Sequence, residues 1–259
     1  MIDTTLVYSY RHMPYELQES LEQDFVSLML KWYKLSMSVG KKLGYKIAVY
    51  CDKSCEGYFE HYADEVNYVD SYYDQYWDSY KFIALEDRSD NFILIDQDVI
   101  LKKPIDEFDV KVVVDQMGRD RYKLYHYGDD RIKTPKFLQR YESLGVKEIF
   151  PEFNYKDKPL IPTTGVLKFN CDKSRQDYLD VWKKLYTFTN SNGLDSRFAT
   201  SIAAEFSLGC LIYNKQWSYK SLSIKDGLDF FSTYHTHYSG KKKFKPGIVN
   251  FDIKDKSLF

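Results

Sequence analysis

Hydrophobic residues in the first 115 positions form short continuous runs, separated by longer stretches in which they recur with helical spacing. One helical stretch is predicted to end at Val39, a second to cover 54–62, and a third to include Trp77, Tyr80 and Leu85. The apolar runs predict strands at 5–10, 46–50, 65–69, 91–95 and 110–114. Strands that alternate with helices are typical of an α/β protein with a mostly parallel sheet flanked by helices.

The rest of the chain shows a weaker pattern. The stretch 115–162 is polar and aromatic, and it is followed by a predicted strand at 167–170 and helices at 177–188 and 198–208. A short strand is predicted at 211–213, and the tail from Tyr234 onward, which is rich in His, Lys and Gly, is predicted to be loop. No internal repeat or low-complexity linker divides the sequence, so a single domain spanning 1–259 is expected.

Composition narrows the possible functions. The chain of 259 residues is 44% hydrophobic, which is enough to build the core of one large α/β domain. The chain contains 37 Lys and Arg residues and 38 Asp and Glu residues, so it lacks the basic excess that is typical of nucleic-acid-binding proteins. We therefore expect no nucleic-acid partner. The four cysteines lack the spacing of a zinc site and are expected to be thiols in a reducing cytosol. No window approaches about 18 apolar residues, so no transmembrane segment and a cytoplasmic location are expected.

Two acidic residues, Asp96 and Asp98, directly follow the continuous apolar run at 91–95. Such a run predicts a strand buried on both faces, and open α/β sheets bind ligands beyond the carboxyl ends of their strands. Neighbouring carboxylates disfavour each other's charged form unless a positive charge intervenes. A Mg²⁺ or Mn²⁺ ion, which prefers oxygen ligands and also binds phosphate oxygens, would supply that charge. The alternative interpretation is a solvated turn that contains two Asp residues.

The apolar strand, Asp96-Gln97-Asp98 and the apolar run that follows resemble the Asp-x-Asp signature of GT-A glycosyltransferases, most closely glycosyltransferase family 8, which includes glycogenin-like and galactosyltransferase-like enzymes. Four further segments match that family in the same order: Trp77-Asp78-Ser79-Tyr80-Lys81, Thr164-Gly165-Val166-Leu167-Lys168-Phe169-Asn170, a helix with Asp195 and Glu205, and His237-Tyr238-Ser239-Gly240. The resemblance covers roughly 6–246 and implies a GT-A, Rossmann-like α/β fold.

The chain also departs from the family pattern at two places. Thr163-Thr164 replaces the usual Asn and small residue before Gly165. Lys243 has the family spacing from the tail His, but Phe244 follows it, and the Lys-Pro pair occurs later as Lys245-Pro246. Which of the two lysines faces the phosphates therefore stays open.

The resemblance implies that Asp96, Asp98 and His237 hold a divalent cation, Mn²⁺ or Mg²⁺. His235 is the competing candidate for the histidine ligand of the metal. In the alternative interpretation, His237 is an ordinary surface histidine. In the same tail, Gly240 belongs to the family motif, and Lys243 and Lys245 would neutralise the diphosphate unless they form a solvated basic loop.

Further donor contacts follow from the resemblance. Lys81 would contact the donor from the opposite side, unless it is an exposed helical lysine, and Gly165 lies in the segment that flanks the donor sugar. The base and ribose would be held by the ends of the first two strands, at Ser9, Tyr10, Arg11 and Asp52. Asp52 has an alternative role as the cap of the next helix.

A buried carboxylate in an apolar stretch is costly unless it is paired or functional, which makes Glu205 the first candidate for a catalytic acid or base. It would serve an inverting enzyme as general base, or a retaining enzyme as stabiliser of an oxocarbenium-like centre. Asp195 is the alternative, and either residue is an ordinary surface acid in the simplest interpretation.

The donor sugar, the stereochemistry and the oligomeric state are not readable from the sequence. The expected activity is sugar transfer from a nucleoside-diphosphate sugar, with UDP as the family default, to a glycan or glycoconjugate acceptor. Residues 1–115 would form a nucleotide-binding half, and 116–259 an acceptor-binding half that ends in a metal and phosphate loop. Two other functions stay open: a haloacid-dehalogenase-like phosphohydrolase, which usually has Thr or Val where Ile100 stands, and a non-catalytic nucleotide-sugar or glycan-binding module.

Overall fold

The computed structural model describes residues 2–10, 24–69, 79–118, 137–151, 160–194, 202–226 and 229–237. The strands in these ranges are β1 (Thr5–Tyr10), β2 (Lys46–Cys51), β3 (Glu65–Tyr68), β4 (Phe92–Ile95), β5 (Val99–Leu101), β6 (Val112–Gly118), β7 (Ile161–Phe169), β8 (Tyr219–Ser221), β9 (Ser223–Asp226), β10 (Asp229–Ser232) and β11 (His235–His237). The α-helices in the same ranges are α1 (Asp24–Lys42), α2 (Ser79–Asp87), α3 (Phe137–Ser143), α4 (Val146–Ile149), α5 (Asp172–Ser191) and α6 (Ser207–Asn214).

The chain divides into two compact units. The first comprises Met1–Tyr72, Asp78–Glu107 and Ser232–Phe259, and the second comprises Tyr73–Trp77 and Phe108–Phe231. A seven-stranded sheet has the order β3-β2-β1-β4 within the first unit and β7-β6-β8 within the second. The predicted α/β class, with a mixed and mostly parallel sheet flanked by helices, is confirmed.

Parallel pairing organises the first unit. β1 pairs in parallel with β2 and with β4, so that Leu6 lies beside both Ile47 and Ile93. Leu6, Val7 and Tyr8 are fully buried, which explains why β1 reads as a continuous apolar run instead of an alternating one. β3 pairs in parallel with β2 and ends the order of strands, and its Tyr68 is 42% exposed, as an edge strand allows.

Two glycines shape the end of α1. A Cβ atom on Gly40 would lie 2.7 Å from Cδ1 of Leu6, so the absence of a side chain lets the helix pack closely on β1. Gly44, with φ of +93°, follows the helix in the left-handed conformation and donates its N–H to the carbonyl of Lys41 at 2.9 Å. Gly44 lies just beyond the end of the helix, whereas Gly40 lies inside it.

Antiparallel and parallel pairing meet at β6 in the second unit. β6 pairs antiparallel with β7, with Val112 opposite Phe169, and parallel with β8, with Val112 opposite Tyr219. The hydroxyl of Tyr178 on α5 donates to the carbonyl of Ala204 at 2.8 Å, which ties α5 to the segment that leads into α6.

β6 and β7 are longer than the predicted strands at 110–114 and 167–170, because polar residues continue them. Thr163 and Thr164 on β7 are buried, and so is Asp115 on β6. The hydroxyl of Thr163 donates to the carboxylate of Asp115 at 2.9 Å, so these polar side chains satisfy each other inside the sheet.

The helix predicted at 54–62 is wrong. The structure has a 3₁₀ turn at Lys53–Cys55 and irregular turns after it. Gly57 adopts a positive φ of +88°, which leaves the helical conformation. The carboxylate of Glu60 accepts the N–H groups of Gly57 at 2.8 Å and Phe59 at 3.0 Å, so a side chain takes the place of helical carbonyl acceptors.

The short strand predicted at 211–213 is also wrong, because these residues belong to α6. In the described part of the helix predicted at 198–208, a π-helical turn at Ile202–Phe206 leads directly into α6. Leu211 is fully buried, and a short apolar run does not by itself distinguish a buried helix from a buried strand.

The prediction of loop from Tyr234 onward is wrong for His235–His237. These residues form β11, which pairs antiparallel with β5. The partner strand is remote in sequence, so local composition gave no signal of the pairing. No described helix combines the length and the apolar composition that a membrane crossing requires.

Candidate functional site

Asp96 and Asp98 lie in the turn that joins β4 to β5. All four residues of β4 are buried, and the N–H of Val99 donates to the carbonyl of Asp96 at 3.1 Å, which closes the turn. Asp98 is only 5% exposed, whereas the side chain of Asp96 is 24% exposed. Asp98 is therefore shielded from bulk water, and Asp96 is partly shielded.

Lys81 forms an ion pair with Asp96. Its Nζ contacts Oδ1 of Asp96, and its side chain is 11% exposed. α2 holds the lysine in place, because Tyr80, Phe82 and Leu85 on the same helix are buried. Lys81 is thus not an exposed helical lysine, and its contact with a donor stays a prediction.

The backbone of β11 brings His237 to the same turn. In the antiparallel ladder, His237 lies opposite Val99, the residue directly after Asp98. Two buried hydroxyls fix the facing strand, since Tyr8 and Ser36 share a hydrogen bond of 2.8 Å and the hydroxyl of Ser36 donates to the carbonyl of Val99 at 2.6 Å. The side chain of His237 is outside the described part of the structure.

His235 occupies a different environment on the same strand. It is buried, and its Nδ1 shares a hydrogen bond of 3.1 Å with the hydroxyl of Ser232. The segment before β11 is anchored as well, because the N–H of Lys102 donates to the carbonyl of Tyr234 at 2.7 Å and the phenol of Tyr234 donates to Asp106 at 2.7 Å. These contacts give His235 a position in the packing between β11 and β5.

The residues at the turn fit a divalent cation by their chemistry. The carboxylates of Asp96 and Asp98 would supply oxygen donors, and a histidine at position 237 would add a nitrogen donor, which Mn²⁺ accepts and Mg²⁺ tolerates. Among the side chains that the structure describes, no three His, Cys, Asp or Glu residues come together as a metal-binding group. The ligand set of Asp96, Asp98 and His237 accordingly stays a prediction.

Ser9 and Tyr10 end β1 beside an aromatic cluster. The carbonyl of Ser9 accepts the hydroxyl of Tyr33 at 2.5 Å, and the ring of Tyr10 lies edge-on to Tyr33 at 5.2 Å and to Phe59 at 5.4 Å. Burial, followed by the nearby Cys55, raises the pKa of the Tyr10 hydroxyl well above its ordinary value. Tyr10 is consequently a neutral, apolar wall at the carboxyl end of β1.

Asp52 follows β2 and is half-buried. Its carboxylate accepts the hydroxyl of Ser54, and it makes no side-chain hydrogen bond to a backbone N–H of the 3₁₀ turn that it precedes. The side chain of Asp52 therefore does not cap the 3₁₀ turn. Its proposed contact with a nucleoside is a prediction.

A buried carboxylate in the second unit was missed by the sequence reasoning. Asp115 is fully buried and accepts hydroxyls from Thr163 at 2.9 Å and from Ser223 at 3.2 Å. It lies where the register between β6 and β7 shifts, opposite the stretch of β7 that contains Gly165. The available signal was an acidic residue directly after Val112-Val113-Val114, the same pattern that identified Asp96.

Glu205 lies in the π-helical turn and is only half-buried. Single π-helical turns inside helices occur frequently at functional sites, which keeps Glu205 a candidate. The remaining predicted site residues lie outside the described residues: Arg11, Asp195, Gly240, Lys243 and Lys245.

No protein-family model and no curated protein matches the chain. Among solved structures, the galactosyltransferase LgtC in complex with donor and acceptor sugar analogues aligns with a TM-score of 0.43 and 10% identity, over 78% of this chain and 71% of that chain. The PaToxG glycosyltransferase aligns with a TM-score of 0.43 and 10% identity, over 82% and 69% of the two chains. The CTP:phosphocholine cytidylyltransferase LicC from Streptococcus pneumoniae aligns with a TM-score of 0.39 and 12% identity, over 89% and 93%. These likenesses are remote, and the function must be argued from the residues of this chain.

Proposed function

We propose that the protein is a metal-dependent glycosyltransferase. It takes a sugar from a nucleoside-diphosphate sugar, with a UDP-sugar as the first choice, and transfers it to a hydroxyl group of a glycan or glycoconjugate. The proposal combines the Asp-x-Asp resemblance with the surroundings of Asp96 and Asp98 in the turn after β4.

The observation that carries the proposal is the pairing of β11 with β5. A sequence motif alone would leave the tail histidine more than a hundred residues away from the aspartates. In the ladder, the backbone of His237 is opposite Val99 and thus next to Asp98. The backbone of a histidine from a distant part of the chain thus lies beside the turn of the two aspartates within a single unit, which supports the proposal of a cation site there.

The proposed roles follow from charge. Asp98, Asp96 and His237 hold the cation, which when bound supplies positive charge to the oxygens of the departing nucleoside diphosphate. Lys243 and Lys245 add further positive charge in the tail that carries Gly240. Lys81, which forms an ion pair with Asp96, would contact the donor from the opposite side.

The remaining roles concern the two substrates. Ser9, Tyr10, Arg11 and Asp52 border the base and ribose. Gly165 would flank the donor sugar, and Glu205 or Asp195 would serve as base or as stabiliser of positive charge at the anomeric carbon.

A binding and turnover panel tests the proposal. Thermal unfolding is measured with a set of nucleotide sugars and nucleoside diphosphates, each with and without Mn²⁺, because a ligand that binds only the folded state raises its melting temperature. The expected result is stabilisation by a UDP compound that depends on Mn²⁺, together with slow Mn²⁺-dependent hydrolysis of the matching UDP-sugar.

The alternatives give different outcomes in the same panel. Release of phosphate from simple phosphate esters without any sugar transfer would identify a phosphohydrolase. Binding of a nucleotide sugar without transfer or hydrolysis would identify a non-catalytic binding module. If no nucleotide stabilises the protein with or without Mn²⁺, the glycosyltransferase assignment is wrong.

A further inference from the structure

The ion pair between Lys81 and Asp96 occupies a carboxylate that the proposed function needs for a cation. The side chains of Lys81 and Asp96 are 11% and 24% exposed, so water screens their interaction only partly. Buried neighbours on α2 fix the helix that carries the lysine, and α2 packs beside β1 and β2. Lys81 is therefore held at the turn by the core of its unit and not by chance contact at the surface.

A divalent cation at this turn would meet the positive charge of Lys81. Lys81 offsets the negative charge of Asp96, with which it forms an ion pair. A cation without a nucleotide would therefore be attracted less strongly to this carboxylate and would repel the ammonium group at short range. A nucleoside diphosphate brings additional negative charge, which offers Lys81 and the cation a shared partner.

We propose that Lys81 makes cation binding at Asp96 and Asp98 depend on the nucleoside diphosphate. In the protein alone, Lys81 serves as the internal counter-ion of Asp96 and disfavours a cation there. When the diphosphate binds, its oxygens take over as partners of Lys81, and the cation gains full access to Asp96. This inference rests on the proposed function, because it assumes that the turn binds a cation together with a diphosphate.

Thermodynamic linkage makes the inference quantitative. The factor by which UDP strengthens Mn²⁺ binding must equal the factor by which Mn²⁺ strengthens UDP binding. If Lys81 opposes the cation only when UDP is absent, removal of its charge strengthens the binding of Mn²⁺ alone and lowers the coupling factor by the same ratio. A purely structural lysine would change neither quantity in this paired manner.

The test is isothermal titration of Mn²⁺ with and without UDP, on the wild-type chain and on Lys81→Met, Lys81→Gln and Lys81→Arg. Met and Gln remove the charge with a side chain of similar reach, and Arg keeps the charge. For both neutral variants, we expect the dissociation constant of Mn²⁺ alone to fall on the order of tenfold, with a matching loss of coupling to UDP. Lys81→Arg is expected to retain most of the wild-type coupling.

Thermal unfolding of each variant accompanies the titrations. Without Lys81, the charge of Asp96 is left uncompensated in a partly buried turn, so the neutral variants are expected to be less stable and to gain more stability from Mn²⁺ alone than the wild type. This second measurement applies even where a variant is only marginally folded without the metal.

The outcomes separate the inference from the proposed function. If the wild type binds Mn²⁺ with UDP, but neither neutral variant binds or is stabilised by Mn²⁺ alone more than the wild type, the role of Lys81 is wrong and the function stands. The same conclusion follows if Lys81→Arg behaves like the neutral variants. If the wild type binds no Mn²⁺ even at saturating UDP, the proposed function and the inference both fall.

Discussion

The two aspartates after β4 have different surroundings, although they are separated by a single residue. Asp96 has the ammonium group of Lys81 as a partner and keeps about a quarter of its side chain exposed, at 24%, while Asp98 is 5% exposed. Water screens a charge less where it is excluded, so we expect the carboxylate of Asp98 to interact more strongly with a cation than the carboxylate of Asp96.

Asp98→Asn is expected to lower Mn²⁺-dependent hydrolysis of the UDP-sugar by about 100-fold or more, because an amide of the same shape lacks the negative charge that a cation requires. The measurement is turnover of the donor across a range of Mn²⁺ concentrations, with circular dichroism to verify the fold. Asp109→Asn, at an exposed position outside the site, serves as the matched control and should keep wild-type turnover. Full activity of Asp98→Asn, or of the wild type in excess chelator, would contradict the mechanism.

Asp90 makes a pH-dependent contribution to the stability of the fold. Burial raises the pKa of its carboxyl group, but hydrogen bonds and charge from Arg88, with the hydroxyl of Thr5, lower it by more, so the pKa lies below its ordinary value. A carboxyl whose pKa is depressed in the folded state stabilises it above the unfolded pKa and loses this effect as the pH falls through the folded pKa.

The side chain of Asp90 is 43% exposed, so water screens its ion pair with Arg88, and Asp90→Asn is expected to destabilise the protein by less than about 1 kcal/mol at pH 7. This difference should shrink towards zero in the acid range. Urea unfolding of both chains at several pH values between 7 and 3 measures it. In a background of Arg88→Gln, the same substitution should have a smaller effect, because only the hydrogen bond from Thr5 remains. A difference between the chains that is constant with pH would show that the ion pair is not its cause.

At the scale of elements, the ladder between β11 and β5 joins the tail to the turn of the aspartates. Thr236 lies opposite Ile100 in the middle of this ladder. A proline there removes a backbone donor and fixes φ, which disturbs antiparallel pairing, whereas valine keeps a high preference for strands.

Thr236→Pro is expected to weaken the binding of UDP with Mn²⁺ by about tenfold or more, because the backbone of His237 loses its place beside Val99. Thr236→Val should bind like the wild type. Isothermal titration in the presence of Mn²⁺ gives both affinities, and the far-UV spectrum should change little, since β11 has only three residues. Equal affinities of the two variants for UDP would show that nucleotide binding does not depend on the pairing of β11 with β5.

Gly209 in α6 packs against the segment that leads into β7. A Cβ atom at this position would lie 2.7 Å from the carbonyl oxygen of Leu160, which is a backbone atom and cannot turn away. Alanine favours a helix over glycine by about 1 kcal/mol, but overpacking of a close contact costs about 1–3 kcal/mol. The second effect is expected to win, so Gly209→Ala should lower the free energy of unfolding, as measured in urea. Asn214→Ala, near the end of the same helix, is the control, and stabilisation by Gly209→Ala would show that α6 can shift.

The strands that the sequence predicted correctly are those whose signal is local. β1, β2 and β4 are buried on both faces, so their apolar runs identify them, and the acidic residues after β4 identify the turn. β11 and the first half of β7 depend on partners that are remote in sequence, or on polar pairs such as Thr163 with Asp115. The ion pair of Lys81 required the structure, because composition cannot tell which acidic residue a helical lysine meets.

At the scale of the whole molecule, the first unit contains the described parts of the proposed cation site. α2, β4, β5 and β11 belong to this unit, although 232–237 follows the entire second unit in the sequence. Ligand binding to these elements should suppress their local opening, because a ligand stabilises the conformation to which it binds.

Hydrogen exchange detected by mass spectrometry tests this expectation. With UDP and Mn²⁺ together, exchange should slow in peptides that cover β4, β5 and β11, while peptides that cover β8, which belongs to the second unit, should change less. Mn²⁺ alone should have little effect on the wild type, since Lys81 compensates Asp96 without a ligand. Excess chelator should reverse the protection, because release of the cation removes the differential binding energy. Protection of β8 without protection of β11 would mean that the nucleotide binds elsewhere and that the turn after β4 is not the donor site.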